Sequence, residues 1–313
     1  MLISKSFSQL LRVAIVLAAV AVISTACKKD DEATPQTITD IVLANNDFTL
    51  LRAAVQRAGL ADALRSGSLT VFAPNDAAFR ASGFADVAAI NAAPVATLTA
   101  ILQYHVLGAR TAASAIPTAE NTQVTTLGNV PAFITKNAAG VSVNGVRVIQ
   151  PDVDAANGVI HVIDRVLMPP AGNIVQVAQG NPAFSLLVAA VLRASQGTTN
   201  VVQALSGAGP ITVFAPTDAA FQAAGFANVA AINAADPAAL TRILTYHVVQ
   251  GRVFSTNLTA GNVPTLQGGS VTVALSPVSV RGNGNGGTAS NVTSANIVAT
   301  NGVIHVIDRV LLP

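Results

Sequence analysis

Two histidine–aspartate pairs are the residues of this chain whose types and spacing could support acid–base chemistry. His161 precedes Asp164 by three residues, and His305 precedes Asp308 by the same interval. A histidine oriented by a carboxylate activates the nucleophile in many hydrolases. Both pairs, however, lie in apolar runs typical of strands, where residues three apart point to opposite faces. We therefore expect no catalytic dyad here, and a structural role for both pairs.

Two tyrosine–histidine pairs, Tyr104–His105 and Tyr246–His247, end predicted helices. Each histidine continues the apolar stripe of its helix, where imidazole can hydrogen-bond polar groups near the helix C-terminus. Each tyrosine lies about 100° around the helix from its histidine, which predicts a ring that is partly exposed or seals an edge. Two interpretations stay open: the pairs stabilise the domains, or they contact a binding partner directly.

Other patterns that could bind a metal or a phosphate are incomplete. Asp152 and Asp154 could suggest calcium, but the rest of a twelve-residue ligand loop is missing. The glycine-rich segment 282–287 resembles a phosphate-binding loop, yet no helix is predicted after it. We expect no metal and no cofactor.

The N-terminal segment predicts export. Lys5 and Arg12 precede an apolar run over residues 13–23, and small residues follow, which is typical of a secretory signal peptide over residues 1–26. Cys27 is the only cysteine in the sequence. Its place after small residues resembles the lipobox of bacterial lipoproteins, in which the thiol is acylated. Ordinary signal cleavage that leaves an incidental thiol is the alternative.

A dense run of charged residues, 28–32, follows Cys27. It resembles the signal that carries lipoproteins of one group of Gram-negative bacteria to the cell surface, and it would equally serve as a solvated tether. We interpret residues 27–36 as a lipidated cysteine and tether. The expected location is the outer membrane, with the protein lipid-anchored and facing the cell surface.

The body of the chain is a tandem repeat. The segment 70–79 returns 142 positions later as 212–221, and the segment 157–167 returns 144 positions later as 301–311. The Tyr–His pairs are also separated by 142 positions. A period of this length indicates two complete domains rather than a solenoid of short units. We place them at residues 37–169 and 172–313.

These repeated segments resemble the motifs of fasciclin (FAS1) domains: the first conserved box, the Tyr–His motif and the second conserved box, in that order and twice. The resemblance implies a wedge-shaped β-sandwich with associated helices in each domain. It also implies extracellular adhesion or matrix binding, without a catalytic centre. In animal members of the family the Tyr–His motif has been linked to integrin adhesion.

The residues independently predict the α+β class. Helical patterns come first in each repeat, with Asn181 and Asp47 placed to cap the equivalent first helices. Period-two patterns follow, and Asn144-Gly145 between two of them predicts a hairpin. Helices followed by strands favour α+β over alternating α/β.

Composition excludes several functional classes. Hydrophobic residues make up 51% of the chain and charged residues 10%, which excludes a disordered protein. Removing residues 1–26 leaves 15 of the 17 basic residues against 15 acidic ones. A neutral chain with scattered arginines argues against nucleic-acid binding.

These observations predict a non-catalytic adhesion or matrix-binding lipoprotein. Its expected partners are the membrane, through the lipid anchor, and an extracellular protein, a glycan or a second copy of the chain. The alternative is a small-ligand carrier or sensor that uses the groove between the two domains. A deep pocket bounded by residues 166–175 and both domains would favour that alternative.

Overall fold

The computed structural model describes residues 35–313, of which Gln36–Pro313 form one compact unit. The expected signal peptide, Cys27 and the charged run after it lie outside the described residues. Among the helices of the described part, none is both long enough and apolar enough to cross a membrane.

Most helices precede the main strands of each repeat. In repeat one they are α1 (Ile38–Ala44), α2 (Thr49–Ala58), α3 (Asp76–Ala81), α4 (Val87–Ala92) and α5 (Val95–Tyr104). In repeat two they are α6 (Ile174–Gln179), α7 (Ser185–Ala194), α8 (Val201–Ser206), α9 (Asp218–Ala223), α10 (Val229–Ala234) and α11 (Pro237–Tyr246). Short 3-10 helices lie at Asn46–Phe48, Ala63–Arg65, Ala113–Ala115, Pro182–Phe184, Ser255–Asn257 and Asn283–Asn285.

The strands of the two repeats correspond one to one. Repeat one contains β1 (Leu69–Pro74), β2 (Val106–Leu107), β3 (Thr122–Thr125), β4 (Pro131–Asn137), β5 (Gly140–Val143), β6 (Val146–Ala155) and β7 (Gly158–Ile163). Repeat two contains β8 (Ile211–Pro216), β9 (Val248–Gln250), β10 (Gly261–Pro264), β11 (Ser270–Leu275), β12 (Val278–Arg281), β13 (Ser290–Ala299) and β14 (Gly302–Ile307).

Each repeat forms a sheet of seven strands with the same connectivity. The order is β2-β1-β7-β6-β5-β4-β3 in repeat one and β10-β11-β12-β13-β14-β8-β9 in repeat two. The last strand is therefore internal, and it runs parallel to the first. The ten-residue β6 pairs with β5 near its start and, after register shifts, with β7. It thus belongs to both halves of a wedge, so the predicted α+β architecture of paired β-rich domains is confirmed.

The sheet of each domain separates two apolar clusters. In repeat one, Val71 and Ile160 face the helices and pack with Leu51 and Leu98. Phe72, from the same strand as Val71, packs in the second cluster between the two halves of the wedge. Neighbouring residues of β1 point to opposite faces, so this one strand serves both cores.

The predicted hairpin is confirmed, whereas the predicted cap at Asp47 is wrong. Val143 pairs with Val146 across Asn144 and Gly145, whose φ angles are 49° and 74°. These positive values are those of a type I′ turn. The Asp47 amide donates instead to the Asn45 side chain of a 3-10 turn.

A distant carboxylate holds the start of α2. Asp76 Oδ1, at the beginning of α3, accepts the Leu50 amide at 2.8 Å. In repeat two, Asp218 Oδ1 accepts a hydrogen bond from the Leu186 amide at the same distance. Asp47 lies within the short 3-10 turn, and α2 begins only after that turn. The first amides of α2 therefore lie beside α3 and not beside Asp47.

Candidate functional site

His105 and His247 join the end of a helix to the segment after the last strand. The side chain of each is 2% exposed. His105 Nδ1 donates to the Ile101 carbonyl at 2.7 Å, and its Nε2 accepts the Leu167 amide at 2.9 Å. His247 repeats both bonds, at 2.8 Å to the Ile243 carbonyl and 2.9 Å from the Leu311 amide.

These bonds determine the protonation state of both rings. A carbonyl can only accept and an amide N–H can only donate, so Nδ1 carries the proton and Nε2 presents its lone pair. A proton on Nε2 would face the amide N–H and would be shielded from water. Burial accordingly lowers the pKa of His105 and of His247 to about 4, against the opposing effect of the backbone carbonyl bond. Both rings are neutral at physiological pH.

The tyrosines, expected to be partly exposed or to seal an edge, are both fully buried. Tyr104 is 1% and Tyr246 is 0% exposed. The β4–β5 hairpin covers the side of α5 that faces away from the helices. The Tyr104 ring points to that side and packs in the apolar cluster between the two halves of the wedge. The Tyr104 hydroxyl donates to the Pro131 carbonyl at 3.0 Å and accepts from Asn144 Nδ2 at 2.9 Å. Burial raises the pKa of Tyr104 to about 12.

Tyr246 makes the corresponding bonds in repeat two. Its hydroxyl donates to the Ser270 carbonyl and accepts the Asn283 amide at 3.1 Å. Each Tyr–His pair therefore clamps one helix end to two separate parts of its domain. A partner could touch these four side chains only after local opening of the domain, and their candidate role in binding stays a prediction.

The second pair of histidines lies inside the wedge. His161 and His305 are buried, whereas Asp164 and Asp308 are exposed, which agrees with the expected opposite faces. His161 Nε2 donates to the Thr111 carbonyl at 3.0 Å, and His305 Nε2 donates to the Val253 carbonyl at 2.9 Å. Burial lowers the pKa of His305. Within residues 35–313, no group of three or more His, Cys, Asp or Glu side chains could hold a metal ion.

The two domains meet at a set of contacts we call the interdomain lock: Phe133 of β4, Gly145, and Arg252, Phe254 and Asn296 of repeat two. The Arg252 guanidinium carbon lies 4.1 Å from the centre of the Phe133 ring. Phe254 is fully buried, with its ring centre 6.3 Å from that of Phe133. Asn296 Nδ2 donates to the Gly145 carbonyl at 3.1 Å.

Sequence reasoning missed the lock because it looked for residues shared by the repeats. Phe254 corresponds to Ala112, and Asn296 corresponds to Asp152, at the offsets of 142 and 144. Residues that differ between two otherwise matching copies were the available signal. A fully buried phenylalanine that replaces an alanine indicates a surface present in only one of the copies.

A cleft of about 740 Å³ also lies between the domains. We call it the interdomain cleft. One wall contains residues 144–147 and 164–169 of repeat one, and the other contains residues 292–298 of β13. Gly145 and Asn296 of the lock also line the cleft. Such a volume falls within the range of about 300–1,000 Å³ typical of small-ligand sites.

The architecture and the repeated clamps agree with a comparison against protein families. The model of the fasciclin domain matches residues 46–169 and 183–313. This chain belongs to the fasciclin family. The two sheets of the described structure are therefore those of a fasciclin domain pair.

Curated relatives include bacterial and animal proteins. Protein sll1483 of Synechocystis is 41% identical over 153 residues, which cover 49% of this chain and 79% of that protein. The transforming growth factor-beta-induced protein ig-h3 of Sus scrofa is 33% identical over 55% of this chain. Human periostin is 33% identical over 59% of it. The matches cover only 24% and 21% of those two animal proteins.

Among solved structures, a fasciclin domain pair from the insect cell adhesion molecule Fasciclin I is similar to this chain. It is 21% identical, with a TM-score of 0.41, and the match covers 84% of this chain and 97% of that one.

Proposed function

We propose that this fasciclin domain pair is an adhesion or matrix-binding lipoprotein without a catalytic role. The observation that carries the proposal is the presence of two fasciclin domains joined by the interdomain lock. Their motif histidines and tyrosines are buried in clamps rather than arranged as reactive groups. Family membership supports the adhesive role, and the export signal with Cys27 supports the lipid anchor.

The proposed partners are a membrane, through lipidated Cys27, and an extracellular protein, a glycan or a second copy of the chain. Cys27→Ser should release the protein from membranes into the soluble fraction, as measured by ultracentrifugation and detergent partitioning. Thr34→Ser, which keeps the cysteine, is the matched control. Unchanged partitioning of Cys27→Ser would exclude the lipid anchor.

The proposed location is the outer face of the outer membrane. Neutralising Lys29, Asp30 and Asp31 together should hide the protein from protease added to intact cells, because these charges are proposed to direct its export. Equal cleavage of this variant and the wild type would show that the charged run is only a tether.

Adhesion itself is tested with the purified segment 28–313 on surfaces coated with matrix extract. Saturable binding to the coat, and weaker attachment of cells that carry Cys27→Ser, are the expected results. Cells of wild type and variant that attach equally would contradict the adhesive role.

The interdomain cleft favours a second candidate, a small-ligand carrier or sensor. The feature expected of that alternative is a pocket bounded by residues 166–175 and by both domains, and residues 166–169 and Ala171 of that segment line the cleft. The two functions are compatible, since adhesion uses outer surfaces while a carrier would use the cleft.

A further inference from the structure

The walls of the interdomain cleft combine aliphatic and polar groups. Its apolar lining includes Met168, Val177, Val292 and Ile297, and Met168 is 50% exposed although it is a large apolar residue. Exposed apolar surface in a concave site is the usual means of holding the body of a ligand. No aromatic side chain lines this cleft of the described structure, so sugars and nucleobases would find no ring on which to stack.

Two arginines of repeat one supply the charge of the cleft. Arg147 and Arg165 line it together with a single carboxylate, that of Asp164. All three side chains are exposed. Among the ion pairs of residues 35–313, none joins either guanidinium to a carboxylate within 4.0 Å. An arginine presents several N–H donors in a planar fork that fits carboxylates, so this wall favours an anion.

Repeat two has only one of these two arginines, Arg309 at the position of Arg165. Asn291 stands where repeat one has Arg147, and its Nδ2 donates to Asp308 at 2.8 Å. Repeat two therefore satisfies its own carboxylate with a neutral side chain. Arg147 therefore has no charged counterpart in repeat two.

We propose that the interdomain cleft binds a carboxylate carried on an aliphatic body, the chemistry of a medium-chain fatty acid. Arg147 and Arg165 bind the carboxylate, and Met168, Val292 and Ile297 contact the chain. This inference rests on the second candidate function, which it extends from a small ligand to a ligand class.

Decanoate and 1-decanol are the probes, because they share a chain and differ in charge. Their binding to the purified protein is measured by calorimetry. Wild type should bind decanoate about tenfold or more tightly than decanol, as loss of charge-assisted hydrogen bonds implies. Arg147→Gln/Arg165→Gln should lose that preference. Arg309→Gln alters the repeat-two counterpart of Arg165 outside the cleft, and it should keep the preference.

Ser294→Trp tests the place of binding. Ser294 is an exposed residue of the cleft wall, so an indole there fills the space without entering a core. Decanoate binding should fall at least about tenfold while the melting temperature stays within a few degrees of wild type. Undiminished binding by a folded Ser294→Trp would overturn the assignment to the cleft.

The two levels of the proposal fail differently. Equal affinity of wild type for decanoate and decanol, both blocked by Ser294→Trp, would overturn the anionic class and leave a carrier site. Absence of binding by both probes would overturn the ligand class, while the carrier function with another ligand and adhesion to matrix would be unaffected.

Discussion

The loops that contain Arg110 and Arg252 are equivalent in the two domains but make different contacts. In repeat one, Arg110 donates to the Gly158 carbonyl and pairs with exposed Asp154. In repeat two, the equivalent Arg252 donates to the Gly302 carbonyl at 2.8 Å and lies over Phe133 of the other domain. The bond to the last strand is common to both copies. In repeat one the guanidinium also pairs with an exposed carboxylate. In repeat two it also donates to the Ala299 and Thr300 carbonyls and lies against the neighbouring domain.

This difference separates two kinds of residue in a duplicated protein. Residues that both copies share, such as His105 and His247, hold each domain together from within. Residues that differ, such as Phe254 and Asn296, hold the two domains to each other. Repetition therefore identifies the architecture, and departure from repetition identifies the junction apart from the shared Arg252.

The largest loss of stability is expected when the buried Phe254 ring is removed. Phe254→Ala is expected to lower the free energy of unfolding by about 3–5 kcal/mol, because a fully buried phenylalanine leaves a cavity. Urea denaturation followed by circular dichroism measures the loss. The exposed Leu192→Ala is the control, and it should change stability by about 0.5 kcal/mol or less. A loss for Phe254→Ala no greater than the control would show that the lock contributes nothing.

Acid should weaken both domains through their shared histidines. The pKa of each clamp histidine falls from an ordinary 6.5 to about 4 on folding. The folded state therefore disfavours the bound proton, so its stability is complete above about pH 6.5 and declines as the pH falls towards 4. The limiting loss is on the order of 3 kcal/mol per histidine.

The acid effect is measured as denaturation midpoints between pH 7 and 4 on wild type and on a His105→Gln/His247→Gln variant. The variant should lose much of the slope. An identical slope in both proteins would assign the acid sensitivity to carboxylates instead.

His247→Ala and His105→Ala distinguish a clamp from an adhesive contact. Each should destabilise the protein by about 1–3 kcal/mol, since the Leu311 or Leu167 amide loses its buried acceptor. Melting temperature and binding to the matrix coat are measured on the same samples. Normal stability combined with abolished binding would show that the motif contacts a partner.

Two reciprocal substitutions compare Asn296, which bonds across the junction, with Asp152, the equivalent residue of repeat one. Asn296→Asp removes the donor to the Gly145 carbonyl and should cost about 1–2 kcal/mol. The reciprocal Asp152→Asn leaves an oxygen for the Ala113 amide, so it should be nearly neutral. Equal effects of the two exchanges on the denaturation midpoint would contradict the proposed division between copies.

The smallest effect is expected at Arg110. Its ion pair with Asp154 is largely exposed, with 46% and 78% of the two side chains accessible. Arg110→Gln should therefore change stability by less than about 1 kcal/mol. Arg252→Gln, which loses the contact with Phe133 as well as carbonyl bonds, should cost more in the same thermal melts. A larger loss of stability for Arg110→Gln than for Arg252→Gln would contradict the role of Arg252 at the junction.

Sequence reasoning reached the features that depend on local pattern. The repeated segments are found by comparing the chain with itself. The Asn144-Gly145 turn and the apolar stripe that ends at His247 follow from short-range spacing. It failed where a distant segment decides the outcome. Asp76 replaces Asp47 at the start of α2, and a hairpin covers Tyr104. The lock is of this second kind, since Phe133 and Phe254 belong to different domains.

The internal position of the last strand affects how the chain reaches its native state. β7 lies between β1 and β6, and β14 lies between β8 and β13. A chain that emerges from its N-terminus presents all the neighbours of each such strand before the strand itself. Neither sheet can be completed until its final segment arrives, a requirement that slows folding because it depends on long-range contacts. Repeat one can nevertheless close while repeat two is still being synthesised, so maturation proceeds by two successive closures.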